Sequence, residues 1–253
     1  MPRGVRPQAR SSRVIDRDQG RSLQKPWAEP LRRAGDSLFD NTKAASSIIG
    51  LGGLLTVLVA GEIFSPGFTR FWGYLTGQVV FVLLIVLLGE VVFARQGGFS
   101  WVTHLVAVAA CWADVLGNAA GFYRLFDEYD KITHFFGIAA VTSGAYDILR
   151  ALAVQGRLPL PPAARLWLSV ALGVAVGLGW EIYEFLADVV FRTVRVYGAW
   201  DTFHDIVFDA LGALSAGILL WVFERQASAL ADGALDGQEV VALVTARPED
   251  PLS

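Results

Sequence analysis

Between residues 45 and 223 the chain reads as six apolar blocks parted by short polar connections. A helix that crosses the hydrocarbon of a bilayer needs about 20 mostly apolar residues. The blocks at about 45–64, 75–94, 101–122, 132–153, 166–187 and 204–223 each reach that length. The third and fourth are the least apolar, which places them inside the bundle, away from lipid. The run "LPLPPAA" (158–164) parts the fourth from the fifth, because proline lacks a backbone N–H and its ring clashes inside a helix. Trp101, Tyr123, Tyr129, Trp167, Tyr197, Trp200 and Trp221 fall near the expected ends, as an aromatic belt would. The pattern predicts an all-α fold, a polytopic transmembrane helix bundle of about six spans.

Composition sharpens this expectation. Of the 253 residues, 54% are hydrophobic and 18% charged, whereas an ordinary soluble domain is about a quarter charged. Residues 1–44 hold ten of the 21 Lys and Arg. The expected organisation is a basic, largely disordered cytoplasmic arm over 1–44, a six-span transmembrane domain over 45–226, and a mildly acidic, largely disordered cytoplasmic tail over 227–253. No apolar h-region follows the early arginines, so they do not read as a secretory signal, and no small-residue cleavage site follows Arg32-Arg33. A net charge of −3 argues against a nucleic-acid partner, and the lipid bilayer is the partner that the spans imply. The single Cys111 excludes a disulfide framework or CxxC site within one chain. With the N-terminus inside, the arm joins Arg95, Arg150, Arg157, Arg165 and Arg225 on one side, against Arg70, Arg124, Lys131, Arg192 and Arg195 on the other. The positive-inside bias then predicts a bacterial inner-membrane protein with both termini cytoplasmic.

In that orientation the acidic residues converge. Asp201, Asp205 and Asp209 recur every four residues where the sixth span begins outside, each about 40° round the helix from the last. Asp130 and His134 lie at the outer end of the fourth span, Glu181, Glu184 and Asp188 in the last turns of the fifth, and Asp114 and Asn118 in the outer half of the third. Small residues share these faces: Gly173 and Gly177, Gly212 and Ala216, Gly117 and Gly121, and Gly137. Such residues mark close helix packing in lipid, so the acids point inward. At the depth of Asp209 and Glu181 an unpaired carboxylate costs roughly 1–3 kcal/mol, which a metal cation, basic partners or protons would offset.

Each position also has a plainer reading. Asp130 and Asp201 each open a helix, where aspartate is a preferred N-cap. Asp127, Glu128 and Asp188 read as rim charges, Glu62 and Glu90 as headgroup contacts, and Asp147 as a local partner of Arg150. His104 lies away from the cluster and His204 off the aspartate stripe. The set His134, Glu181, Glu184, Asp205 and Asp209 resists such readings. One imidazole with several carboxylates suits a hard or borderline divalent cation, Mg²⁺, Mn²⁺ or Zn²⁺. His134, Glu181, Asp205 and Asp209 are then its ligands and Glu184 the spare carboxylate, a general base. Arg192 and Arg195 would close the site from the loop, as ion-pair partners or anion clamps.

The segments "DKITHFFG" (130–137), "WEIYEF" (180–185) and "WDTFHDIVFDALGA" (200–213) resemble those of the uncharacterised bacterial inner-membrane proteins typified by YjdF. More distantly they resemble the VanZ-like family, associated with glycopeptide-antibiotic resistance. The YjdF-type pattern falls on His134, Phe135, Gly137, Glu181, Glu184, Trp200, Asp201, Thr202, Asp205, Gly212 and Ala213. The VanZ-like pattern falls on Asp130, Lys131, His134, Phe135, Asp205 and Gly212, with Asp209 where Asn is usual, so the site here is more acidic. The resemblance covers about residues 70–225 and implies a multi-pass membrane fold without supplying a reaction. Three functions follow from the acids: a metal-dependent site acting on an envelope or lipid-linked substrate; a proton- or cation-coupled transporter or non-catalytic binding protein; or a structural network with Lys131, Arg192 and Arg195. A relay would have to run on through Asp114, Glu90 and Asp147. No nucleophile elbow, P-loop or dinucleotide motif favours a soluble-type enzyme.

Overall fold

The computed structural model describes the backbone over residues 28–65, 72–192 and 195–245, and side chains over 42–65, 72–192 and 195–228. Every regular element among the described residues is helical. The order is α1 (Ala28–Phe64), α2 (Trp72–Val92), a 3-10 turn (Ala94–Gln96), α3 (Trp101–Ala119), α4 (Phe122–Leu125), α5 (Tyr129–Val154), α6 (Pro162–Phe191) and α7 (Ala199–Thr245). Six segments are long and apolar enough to cross a membrane: Thr42–Phe64, Trp72–Val92, Trp101–Ala119, Tyr129–Val154, Pro162–Phe191 and Ala199–Ser228. They are the six expected blocks, with ends shifted by a few residues.

The chain divides into two compact units, Met1–Phe39 and Asp40–Ser253. In the first, the described backbone is helical from Ala28; the second holds the six spans. Residues 28–44 and 227–245, expected to be disordered, are helical. The sequence "ASALADGALDGQEVVAL" (227–243) is rich in Ala and Leu, which favour helix. The remainder of those arms, 1–27 and 246–253, lies outside the described residues.

Local chemistry sets the helix ends. Ser100 caps α3, its Oγ accepting the Thr103 N–H at 3.3 Å. The chain leaves α5 through Gly156 at φ 70°, a left-handed turn that glycine takes without a Cβ clash. Pro161 and Pro162 then start α6, where a missing N–H costs nothing. Asp130 and Asp201 are not the expected N-caps, because α5 starts at Tyr129 and α7 at Ala199. Asp201 still serves its terminus: Oδ2 accepts the Tyr197 N–H at 3.2 Å, the backward reach of a capping box.

Helix α5 lies at the centre, against α3, α6 and α7, and α3 and α5 are the most enclosed spans. One apolar core joins Leu51, Leu54 and Leu58 of α1 to Leu75 and Val79 of α2 and Cys111 and Val115 of α3. A second joins Val102 of α3, Ile138 and Tyr146 of α5, Leu166 and Val170 of α6, and Ala213 and Leu220 of α7. Large apolar side chains such as Phe81, Leu88, Leu105, Phe185 and Val190 remain exposed on the outside of the bundle, as helices facing acyl chains require.

Glycines let three helices approach. A methyl group at Gly177 would strike the Asp209 carboxylate, one at Gly173 the Thr142 hydroxyl, and one at Gly212 the Phe135 carbonyl. The other small residues do not all follow that rule. Gly137 has open space around its Cβ direction, Gly117 makes room for the Tyr123 ring, and Gly121 sits at φ 75° in the turn before α4.

Candidate metal site

Helices α5 and α7 run side by side in the same direction: Lys131 meets Asp201 and Asp205, His134 meets Asp209, and Tyr146 meets Glu224. Helix α6 runs against both, with Gly177 beside Asp209 and Arg165 beside Glu224. The starts of α5 and α7 and the end of α6 therefore share one end of the bundle. There the four-residue stripe of α7 faces two bases on α5, three residues apart and so on one face.

The geometry is specific. Lys131 Nζ lies 2.5 Å from Asp201 Oδ1 and 3.1 Å from Asp205 Oδ1. His134 Nδ1–H donates to Asp209 Oδ1 at 3.1 Å, and the same nitrogen is 3.8 Å from Glu181 Oε1. On its other side, His134 Nε2 is 3.8 Å from Asp130 Oδ2. Lys131 is 4% exposed, His134 and Glu181 7%, Asp205 2% and Asp209 1%. Five carboxylates thus face one ammonium and one imidazole. Glu181 Oε1, Asp205 Oδ1 and Asp209 Oδ2 are buried without a hydrogen bond; the nearby Lys131 ammonium reaches Asp205 Oδ1 as a charge but is not aligned to donate to it. Buried polar atoms without partners are uncommon and costly.

Two overlapping sets have ligand atoms that all lie within 4.8 Å of one another: His134, Glu181 and Asp209, and Asp130, His134 and Asp205. They share one imidazole, which in its neutral form has a single lone pair and so serves one ion at a time. Ligand atoms around a tetrahedral zinc-sized ion lie about 3.3 Å apart. The 3.1 and 3.8 Å separations of the first set bracket that value. Gly177 is what leaves room for the Asp209 carboxylate in this set.

These residues all fall within a stretch shared with other proteins. Residues 48–226, well over half the chain, match the family described as "Predicted membrane protein (DUF2238)". The chain belongs to the DUF2238 family. It is a multi-pass membrane protein. The DUF2238 chain is also 31% identical over 108 residues to an uncharacterised protein of Thermotoga maritima, a match covering 42% of this chain and 55% of that protein. The chain therefore matches little more than half the length of that relative. No solved structure matches.

Other expected site residues of the DUF2238 chain lie at this end without joining the ligand sets. Glu184 is half-buried and, among the described residues, makes no hydrogen bond or ion pair. Asp114 Oδ1 accepts Asn118 Nδ2 at 3.0 Å and the Tyr123 hydroxyl at 2.7 Å. Asp114 and Asn118 thus form a network of their own on α3. Burial, and then the Asp114 charge, push the Tyr123 phenol well above its ordinary pKa, so Tyr123 remains a donor. Asp188 is no free rim charge: its carboxylate accepts the backbone N–H groups of Arg195 and Val196 at 2.9 Å. Arg195 turns back over the Tyr183 ring, 5.8 Å from its centroid. Arg192 is exposed and ends α6 at φ 55°. His204 packs with Trp200 and Phe203, off the stripe as expected.

Sequence reasoning missed a second polar cluster at the opposite end. His104 Nε2–H donates to Glu90 Oε1 at 2.9 Å, so its Nδ1 accepts from the Ser47 hydroxyl at 2.7 Å. Asp147 Oδ2 accepts from the Ser100 N–H and the Thr103 hydroxyl, both at 2.7 Å, and Lys43 Nζ donates to the Gly97 and Phe99 carbonyls at 2.8 Å. Glu90, His104 and Asp147 are therefore tied between helices, instead of to headgroups or only to a local arginine. Nearby, Glu224 holds Tyr146 and Arg165. Lone polar residues in apolar runs were the available signal; which helices would bring them together was not.

Proposed function

We propose that this DUF2238 protein holds one divalent metal ion, Mg²⁺, Mn²⁺ or Zn²⁺, between His134 Nδ1, Glu181 and Asp209, on the extracytoplasmic side of a bacterial inner membrane. The observation that carries this reading is a pair of buried oxygens without hydrogen bonds: Glu181 Oε1, 3.8 Å from His134 Nδ1, and Asp209 Oδ2, on the carboxylate whose other oxygen accepts from that nitrogen. Five carboxylates against two bases leave an excess of negative charge that a divalent ion offsets. Asp130 Oδ2, 3.8 Å from Nε2, puts a second negative charge behind the ring. Asp205 is shared with Lys131 and serves the second ligand set. The YjdF-type resemblance fits the family match and supplies no role for these residues.

Such an ion would supply Lewis acidity and an activated water. Glu184, three residues from Glu181 and without a hydrogen bond or ion pair among the described residues, is the base for an envelope or lipid-linked substrate. A proton relay has less support. Asp147 lies 13 residues along α5 from His134, about 20 Å of helix, and no carboxylate or imidazole of α5 stands between them. Metal analysis of purified protein tests the proposal. About one equivalent per chain is expected, lost in His134→Ala and Asp209→Asn; folded wild-type protein that takes up no metal sinks it.

A further inference from the structure

We propose that Arg195 forms a phosphate-binding subsite at the mouth of the His134–Glu181–Asp209 site. Its backbone is fixed where the chain folds back onto α6, by hydrogen bonds to Asp188. From there the side chain runs back along α6 to lie over Tyr183. Its Nε is buried with no hydrogen-bond partner. Among the described residues no carboxylate lies within ion-pair distance of it, Glu184 being the acid whose charge it feels. A guanidinium laid over an aromatic ring with a donor left unused is matched in shape and charge to a phosphate group.

The level of this arginine matters. Tyr183 and Glu184 lie two and three residues beyond Glu181 on α6, a rise of about 3–5 Å. A phosphate at Arg195 therefore sits about one turn outward of Glu181, beside Glu184. The seam where Arg195 lies is also the lipid side of α6. Trp180 and Tyr183 pack at 5.1 Å there, and both are exposed. An amphiphile entering from the bilayer can keep its tail on these side chains and its phosphate on Arg195. The shared chemistry is a phosphate group, from a lipid headgroup or free in solution.

The inference rests on the metal-site proposal for what lies beneath the phosphate, and not for the contact with Arg195. Calorimetric titration of purified full-length protein tests it with two probes, inorganic phosphate and phosphatidic acid in phosphatidylcholine nanodiscs. Wild type, Arg195→Ala and Arg195→Lys are compared, each before and after chelation. Wild type is expected to bind a probe, Arg195→Ala to lose about tenfold or more in affinity, the scale of one charge-assisted bidentate contact, and Arg195→Lys to keep part, with metal content equal in all three. Tighter binding of phosphatidic acid than of inorganic phosphate assigns the subsite to a lipid headgroup, and equal binding assigns it to free phosphate. Failure of both probes to bind, or equal affinity in wild type and Arg195→Ala, overturns it. Should the metal reading fail, the chelated arm still reads the dependence on Arg195.

Discussion

Lys131 is buried between two aspartates. Among the described residues it is the cation in ion-pair contact with Asp201 and Asp205, and Asp205 is 2% exposed. Removing one partner of a buried ion pair strands the other charge, at a cost of about 3–5 kcal/mol. Lys131→Met is therefore expected to lower unfolding stability in detergent by that amount. Adding Asp205→Asn to the same chain should restore a good part, because the stranded carboxylate is then gone. Chemical-denaturation curves of the two variants check this; a loss under about 1 kcal/mol would mean that the aspartates find water or another cation. His134 differs from Lys131. Its imidazole faces acids on both ring nitrogens, so a metal can replace the proton on one side while the Asp130 carboxylate faces the other.

Between helices the decisive contacts involve glycine. Gly212 lets the Phe135 carbonyl of α5 approach α7, and Gly177 lets Asp209 of α7 approach α6. Forcing a methyl group into such a contact costs about 1–3 kcal/mol. Gly212→Ala and Gly177→Ala are expected to lose that much thermal stability, and Gly177→Ala to lose bound metal as well, because Asp209 must move. Gly137→Ala, which meets open space, should change stability by less than about 0.5 kcal/mol; an equal loss in all three would place the cost in the helix backbone instead. The contrast marks what the sequence could tell. Twenty-residue apolar runs announced the spans because lipid leaves a backbone no alternative to helix. The acids of α5, α6 and α7 were legible as a group because each stands at the end of a span and the spans alternate in direction. His104, Glu90 and Asp147 were not, because periodicity gives the face of one helix and not the neighbour that meets it. Gly137 failed for the same reason: it shares the spacing of the packing glycines and has no helix opposite.

Across the described bundle, charged side chains gather at two ends. One end holds the acid cluster; the other holds Lys43, His104, Asp147, Arg150, Arg165 and Glu224. Arg95, Arg157 and Arg225 also flank that second end, so the positive-inside bias predicts that it faces the cytoplasm and the candidate metal site faces away. Some of these basic groups are engaged inside the protein: Arg150 donates to the Gly98 carbonyl and Arg165 pairs with Glu224. The bias that sets orientation acts while the chain inserts, before such pairs exist, so they do not weaken the expectation. Cysteine labelling tests it directly, since the single Cys111 is 1% exposed and Cys111→Ala gives a silent background. Asp127 and Arg157 are exposed at opposite ends. Asp127→Cys should react with a membrane-impermeant maleimide added to intact cells, and Arg157→Cys only once the membrane is opened. The reverse pattern would turn the carboxylates and Arg195 toward the cytoplasm, and an envelope substrate could no longer reach them.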